Sequence, residues 1–163
     1  MPSQSLTLTA MSVSDAEIIC SWVYEPPYDC YNWPSWKVMC EQEIEFADDA
    51  IRRQQYCSLV LAQKLVGYIQ LFPLASTMRL AIFLAPEHCG RGLGRHATAL
   101  AIAEAGKRMP GAEIDLEVEC WNQRAINSYA KSGFTITDQY SYSYKGVMRE
   151  VFCMVYKPEW ELA

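Results

Sequence analysis

Apolar positions along the chain switch repeatedly between the period of a strand and the period of a helix. Ser5 to Met11 alternates as a short strand, and Ser14-Asp15 reads as the cap of a helix carrying Ile18, Ile19, Trp22 and Val23 and ending by Pro26-Pro27. Tyr28 to Trp36 is rich in aromatics and turn formers, after which Ser35 to about Gln55 reads as helix with a break near Asp48-Asp49. Tyr56 to Ala62 and Leu65 to Leu74 are apolar runs that Gln63-Lys64 would join as a hairpin, without the favoured Asn-Gly turn. A third run, Met78 to Ala85, stops at Pro86.

Beyond a glycine cluster, Leu93, Ala97, Leu100, Ala101 and Ala105 form a stripe at helical spacing, with small side chains suited to lying close on a sheet. Pro110-Gly111 closes that helix. Ala112 to Cys120 alternates strictly: Ile114, Leu116, Val118 and Cys120 share one face, which reads as core, while Glu113, Asp115, Glu117 and Glu119 make the other acidic. Asn122 caps a last helix to Ser132, Gly133 ends it, and two strands follow at about Phe134 to Tyr142 and Arg149 to Lys157. The order is strand, helices, three strands, helix, strand, helix, two strands. It predicts an α/β (mixed α+β) fold, with helices on both faces of a mixed, mostly antiparallel sheet of six to seven strands. Three consecutive strands argue against a purely parallel doubly wound sheet.

At 163 residues and 51% hydrophobic, the chain has the size and apolar content of one domain with a real core. Its 14 basic and 19 acidic side chains give a net charge of -5, which disfavours non-specific nucleic-acid binding. No run reaches the roughly 18 apolar residues of a membrane span, and Met1 to Thr9 lacks a leader pattern, so a cytoplasmic location is the expectation. Seven cysteines, an odd number with no C-x-x-C pair, read as free thiols in a reducing compartment. His88 and His96 have no third histidine or cysteine cluster near them, so no metal site is expected.

The segment Cys89-Gly90-Arg91-Gly92-Leu93-Gly94-Arg95 lies between a strand and a helix, where free amides and the positive end of the helix dipole favour an anion. Glycines would let a phosphate approach the backbone and permit positive φ. The dinucleotide fingerprint needs glycine where Arg95 stands, and the Walker loop needs Gly-Lys-Ser/Thr, so neither fits. Arg91 and Arg95 are placed either to pair with phosphates or to remain solvated.

This loop resembles that of the GNAT superfamily of acyl-CoA N-acyltransferases, which reads Gln/Arg-x-x-Gly-x-Gly/Ala between a strand and a helix. Cys89 stands where the family usually has Gln or Arg. The resemblance continues through Ile82-Phe83-Leu84-Ala85-Pro86, Leu116-Glu117-Val118, Asn122, Ala125-Ile126, Tyr129 and Gly133-Phe134, and is closest to members that acetylate protein N-termini. It implies one N-acetyltransferase domain over 1–163, with acceptor-side strand and helices at 1–60, an acyl-CoA-binding core at 65–134 and C-terminal strands at 134–157. Acetyl-CoA would be the donor, held by Ile82, Phe83 and Leu84 along the pantetheine arm, by Cys89, Gly90, Arg91, Gly92, Leu93, Gly94 and Arg95 at the diphosphate, and by Asn122 and Tyr129. Members often dimerise, so the resemblance also raises a homodimer.

Acyl transfer to an amine needs a neutral nucleophile, so a carboxylate must take the ammonium proton. Glu117, at the family's position, is the expected base; its neighbours Asp115 and Glu119 would raise its pKa and attract an ammonium. Glu119 is the reserve. On spacing alone the same row fits the solvated face of a strand. The family's equivalent of Tyr129 donates a proton to the coenzyme sulfur, and a core-packing tyrosine is the alternative. A backbone N–H near Phe83 to Leu84 would serve as oxyanion donor if a bulge exposes it. Trp22, Tyr24, Tyr28, Tyr31, Trp33 and Trp36, together with Tyr140, Tyr142 and Tyr144, would wall an acceptor pocket, with Tyr28, Tyr31, Trp33, Glu119 and Tyr142 touching the substrate. The acceptor stays open between a protein N-terminus, a small metabolite such as a polyamine, and an aminoglycoside-like compound. A non-catalytic acyl-CoA-binding module and a phosphate binder of another fold are the competing readings.

Overall fold

The computed structural model describes residues 4–159; residues 1–3 and 160–163, which the expected domain bounds include, lie outside them. Among the described residues there are seven strands and five α-helices, and the strands order as β1-β2-β3-β4-β5-β7-β6 in one hydrogen-bonded sheet. The fold is thus mixed α/β with a mostly antiparallel sheet. The chain divides into two compact units, the first running to Gln70 and including Ile82–Ala97, the second comprising Leu71–Ala81 and the chain from Thr98 onward. No helix among the described residues is long and apolar enough to cross a membrane.

In the first unit, β1 (Thr7–Ala10) pairs antiparallel with β2 (Tyr56–Leu61), which pairs antiparallel with the first part of β3 (Lys64–Leu74). The β2–β3 turn is Ala62-Gln63, one residue earlier than expected, and both residues take positive φ, 51° and 61°. Two left-handed central residues make the tight hairpin geometry that Asn-Gly normally supplies, here adopted at some strain.

Helix α1 (Val13–Ser21) starts from Ser12 and not from the Ser14-Asp15 pair. The Ser12 hydroxyl accepts from the Asp15 amide and the Asp15 carboxylate accepts from the Ser12 amide, a reciprocal cap that satisfies two otherwise orphaned donors. The expected helix over 35–55 is interrupted sooner than at Asp48. α2 (Trp36–Gln42) ends where Glu43 turns left-handed, a 3-10 turn spans Glu45–Ala47, and α3 (Asp49–Gln55) restarts on an Asp48 cap. The interruption puts Phe46, fully buried, beside Met11, Ala16, Ile19, Met39, Tyr56 and Tyr68. Each such large side chain contributes about 1.5–3 kcal/mol on burial, against helix preferences below about 0.7 kcal/mol for a single ordinary residue.

In the second unit, the first half of β4 (Thr77–Leu84) lies parallel to β5 (Glu113–Glu119) in four rungs, from Thr77 opposite Glu113 to Leu80 opposite Leu116. β5 pairs antiparallel with β7 (Val147–Tyr156), which pairs with β6 (Phe134–Tyr144). Helix α4 (Leu93–Arg108) buries Ala101 and Ala105 on the predicted stripe, and α5 (Gln123–Lys131) follows the Asn122 cap.

Candidate functional site

The glycine loop belongs to the first unit. Pro86–His88 forms a 3-10 turn after β4, and Gly90 and Gly92 then take φ of 72° and 80° before α4 begins at Leu93. Nothing lies within 4 Å of where a Cβ would stand on either glycine. Left-handed backbone, and not crowding inside the protein, is therefore what calls for glycine there. The open space over this turn, at the head of a 16-residue helix, suits a diphosphate. Gly90, Arg91, Gly92 and Arg95 are exposed, and Leu93 and Gly94 are half-buried. Cys89 turns its thiol back toward the carbonyls of Leu84 and Ala85, at 3.7 and 3.5 Å.

The strand leading to the loop is held from both sides within the same unit. A Cβ on Gly67 of β3 would stand 2.4 Å from the Phe83 carbonyl oxygen and 3.2 Å from Leu84 Cα, so only glycine permits this approach. Tyr24 donates its phenol proton to the Leu84 carbonyl at 2.6 Å, and the Ala85 amide donates to Val66 at 2.8 Å. Burial, with the Cys89 and Glu87 charges adding to it, pushes the Tyr24 phenol upward, so it remains a donor.

The first aromatic group divides between core and rim. Trp33 packs edge-on against Phe46 at 5.1 Å and donates its indole N–H to the Tyr68 phenol at 2.9 Å. It thus belongs with the core cluster. Tyr31 tilts against Phe83 at 5.5 Å, and Phe83 stacks on Tyr68 at 5.0 Å. Tyr28 and Tyr31 lie half-buried in a 3-10 turn, Tyr28–Tyr31.

The carboxylate row belongs to the second unit, and it is not the unopposed acidic face that strand alternation predicts. Asp115 and Glu119 are buried and Glu117 is half-buried. Arg79 of β4, opposite Asp115 in register, donates Nε to Asp115 Oδ1 at 3.0 Å and a terminal nitrogen to Oδ2 at 2.8 Å. Its other terminal nitrogen pairs with Glu117 Oε1. Arg149 of β7 pairs with Glu119 at 2.8 Å. Three carboxylates thus meet two guanidinium groups, and the row's attraction for cations is reduced accordingly. Neither arginine was singled out from the sequence: Arg79 and Asp115 are 36 residues apart, and only strand register aligns them.

Proton affinities follow from these neighbours. Burial raises the Glu119 carboxyl above its ordinary value, with the Arg149 cation opposing and the Glu117 charge reinforcing the effect. The Tyr140 phenol is raised by burial first, then by the nearby Glu117 carboxylate. Tyr142, opposite Arg149 in register, is raised mainly by burial while Arg149 pulls it down.

Asn122 Oδ1 accepts from the Ala125 amide at 3.2 Å, so it caps α5. Tyr129 projects from α5 against Phe134, ring centroids 6.0 Å apart, and burial pushes its phenol up to about 12. The hydroxyl therefore holds its proton through the neutral range, the state a donor requires. All seven cysteines are free thiols, and no group of three His, Cys, Asp or Glu side chains among the described residues could hold a metal ion.

The described residues thus combine a seven-stranded mixed sheet with a left-handed glycine turn at a helix head. The profile of the acetyltransferase (GNAT) family matches residues 17–134, more than two thirds of the chain, and the chain belongs to that family. It is an acyltransferase. Among solved structures, a chimera of the Vibrio cholerae spermidine N-acetyltransferase SpeG with hSSAT is similar at 22% identity and a TM-score of 0.79, over 97% of this chain and 98% of that one. V. cholerae spermidine N-acetyltransferase in complex with CoA and spermine is similar at 21% identity and 0.71, over 98% and 99%. The Escherichia coli ribosomal-protein-S18-alanine N-acetyltransferase is similar at 22% identity and 0.65, over 93% of each chain. No curated relative matches the chain in sequence.

Proposed function

We propose that the chain is a single-domain N-acetyltransferase that moves the acetyl group of acetyl-CoA to a primary amine by direct attack. Membership of the acetyltransferase family and the left-handed Gly90–Gly92 turn at the head of α4 are what support this reading. In it, amides from Gly90 to Arg95 hold the diphosphate, with Arg91 and Arg95 adding charge, and Ile82–Leu84 and Asn122 hold the pantetheine arm. The amine nitrogen forms a bond to the thioester carbonyl carbon and the carbon–sulfur bond breaks. The amine's proton passes to Glu117, directly or through water, and Tyr129 protonates the departing thiolate. Tyr28, Tyr31, Glu119 and Tyr142 are the proposed acceptor contacts.

Similar structures act on spermidine in one case and on a ribosomal-protein alanine in another, so polyamines and protein N-termini are the acceptors to test first. The test is an acetylation assay over an amine panel with mass detection, run beside Glu117→Gln. Mass gain on one amine class, lost in the variant, supports the reading; CoA release with no acetylated amine would sink it.

A further inference from the structure

We propose that Arg79 is a positioning residue for acyl transfer, acting through Glu117; this rests on the acetyltransferase reading above. One planar guanidinium serves two carboxylates. Nε and one terminal nitrogen grip Asp115 at 3.0 and 2.8 Å, and the remaining terminal nitrogen holds Glu117 Oε1. Side-chain exposures of 28% for Arg79, 7% for Asp115 and 24% for Glu117 put the cluster out of bulk water, where salt screens it less.

Every neighbouring strand contributes to the same arrangement. The Tyr140 phenol of β6, raised first by burial, also feels the charge of the Glu117 carboxylate. The Cys153 thiol of β7 lies 3.6 Å from Asp115 Oδ2, and Cys153 is the register partner of Glu117. Further along β5, Glu119 is taken by Arg149, beside Tyr142. Arg79 is thus the cation that separates Asp115 from Glu117, which lie on the same face of β5 one pleat apart. Without it, two carboxylates in a partly desolvated site would repel, and Glu117 would lose the partner that fixes its rotamer. A lysine keeps the charge but not the fork, since an ammonium cannot grip both oxygens of Asp115 and still reach Glu117. The two arginine substitutions therefore separate charge from geometry.

The experiment is a double-substitution cycle on the full chain with two readouts, acetyl transfer and urea unfolding. Arg79→Gln is expected to lower kcat about 30-fold while leaving KM for acetyl-CoA within about twofold, and Arg79→Lys to recover about a third of the lost activity. In a Glu117→Gln background, Arg79→Gln should cost less than about threefold further, because its effect passes through that carboxylate. Urea unfolding should show the same pair coupled by about tenfold in the folding equilibrium constant. Multiplicative kinetic losses, a KM rise as large as the kcat fall, or unfolding with no coupling would each overturn the proposal. Persistent coupling in a chain that acetylates no amine would instead sink the acetyltransferase reading and reduce the cluster to a structural ion pair.

Discussion

The glycine loop of the first unit and the carboxylate row of the second are built on different physical terms. The loop's features are local: two left-handed glycines, a turn and a helix head within a few residues of one another. The row's features are not. Its character depends on Arg79 and Arg149, brought from other strands by register, and on tyrosines from β6. Backbone chemistry travels with the segment that carries it, whereas charge chemistry is decided by whatever the fold sets opposite.

Substitutions can break this contrast in order of expected effect. Glu117→Gln, which keeps shape but removes proton affinity, is expected to lower kcat about 10²–10³-fold with acetyl-CoA binding unchanged by calorimetry. A matching loss of coenzyme affinity would show that the row and the loop are not separable. Tyr129→Phe should lower kcat about 10–100-fold, and transfer from an activated donor with a better leaving group should be affected far less. Equal losses with both donors would leave Tyr129 a packing residue against Phe134. Gly92→Ala forces a Cβ into left-handed backbone at a cost of about 1–2 kcal/mol. KM for acetyl-CoA should rise about tenfold with little change in kcat at saturation.

The smallest effect is on stability. The Glu119 carboxyl is held above the ordinary glutamate value of 4.5 because burial disfavours its charged form. The folded chain therefore keeps a proton that the unfolded chain has released. This group's contribution is intact below the ordinary value and declines as pH rises through the raised one. Glu119→Gln should flatten that decline, seen as a smaller drop in Tm between about pH 4 and pH 8. Parallel Tm-versus-pH curves for parent and variant would refute the desolvated carboxyl.

How far the sequence could be read follows the same division. The order of strands and helices after Tyr56 was legible because apolar period, Pro86, Pro110 and the Asn122 cap agree with one another. Before Tyr56 local signals compete. Ser14, with Glu17 three residues on, reads as a cap, but the reciprocal pair that forms is Ser12 with Asp15. The helix over 35–55 is broken by the demand to bury Phe46, a tertiary cause with no local mark. Trp33 reads as a wall residue by composition, but Tyr68 and Phe46 claim its indole. The carboxylates of β5 were visible as residues, while their pairing with Arg79 awaited the parallel β4–β5 register, which no turn or spacing announces.

The seven thiols differ in ways that make them useful. Cys30 and Cys40 lie exposed on short helical segments, Cys57 is buried, and Cys89 faces carbonyl oxygens. Cys20, pushed up to about 11 by burial and by the nearby Cys40, resists forming the reactive thiolate at neutral pH. A maleimide dye added sparingly should settle first on positions 30 and 40, giving two optical reporters in the first unit without disturbing the glycine turn.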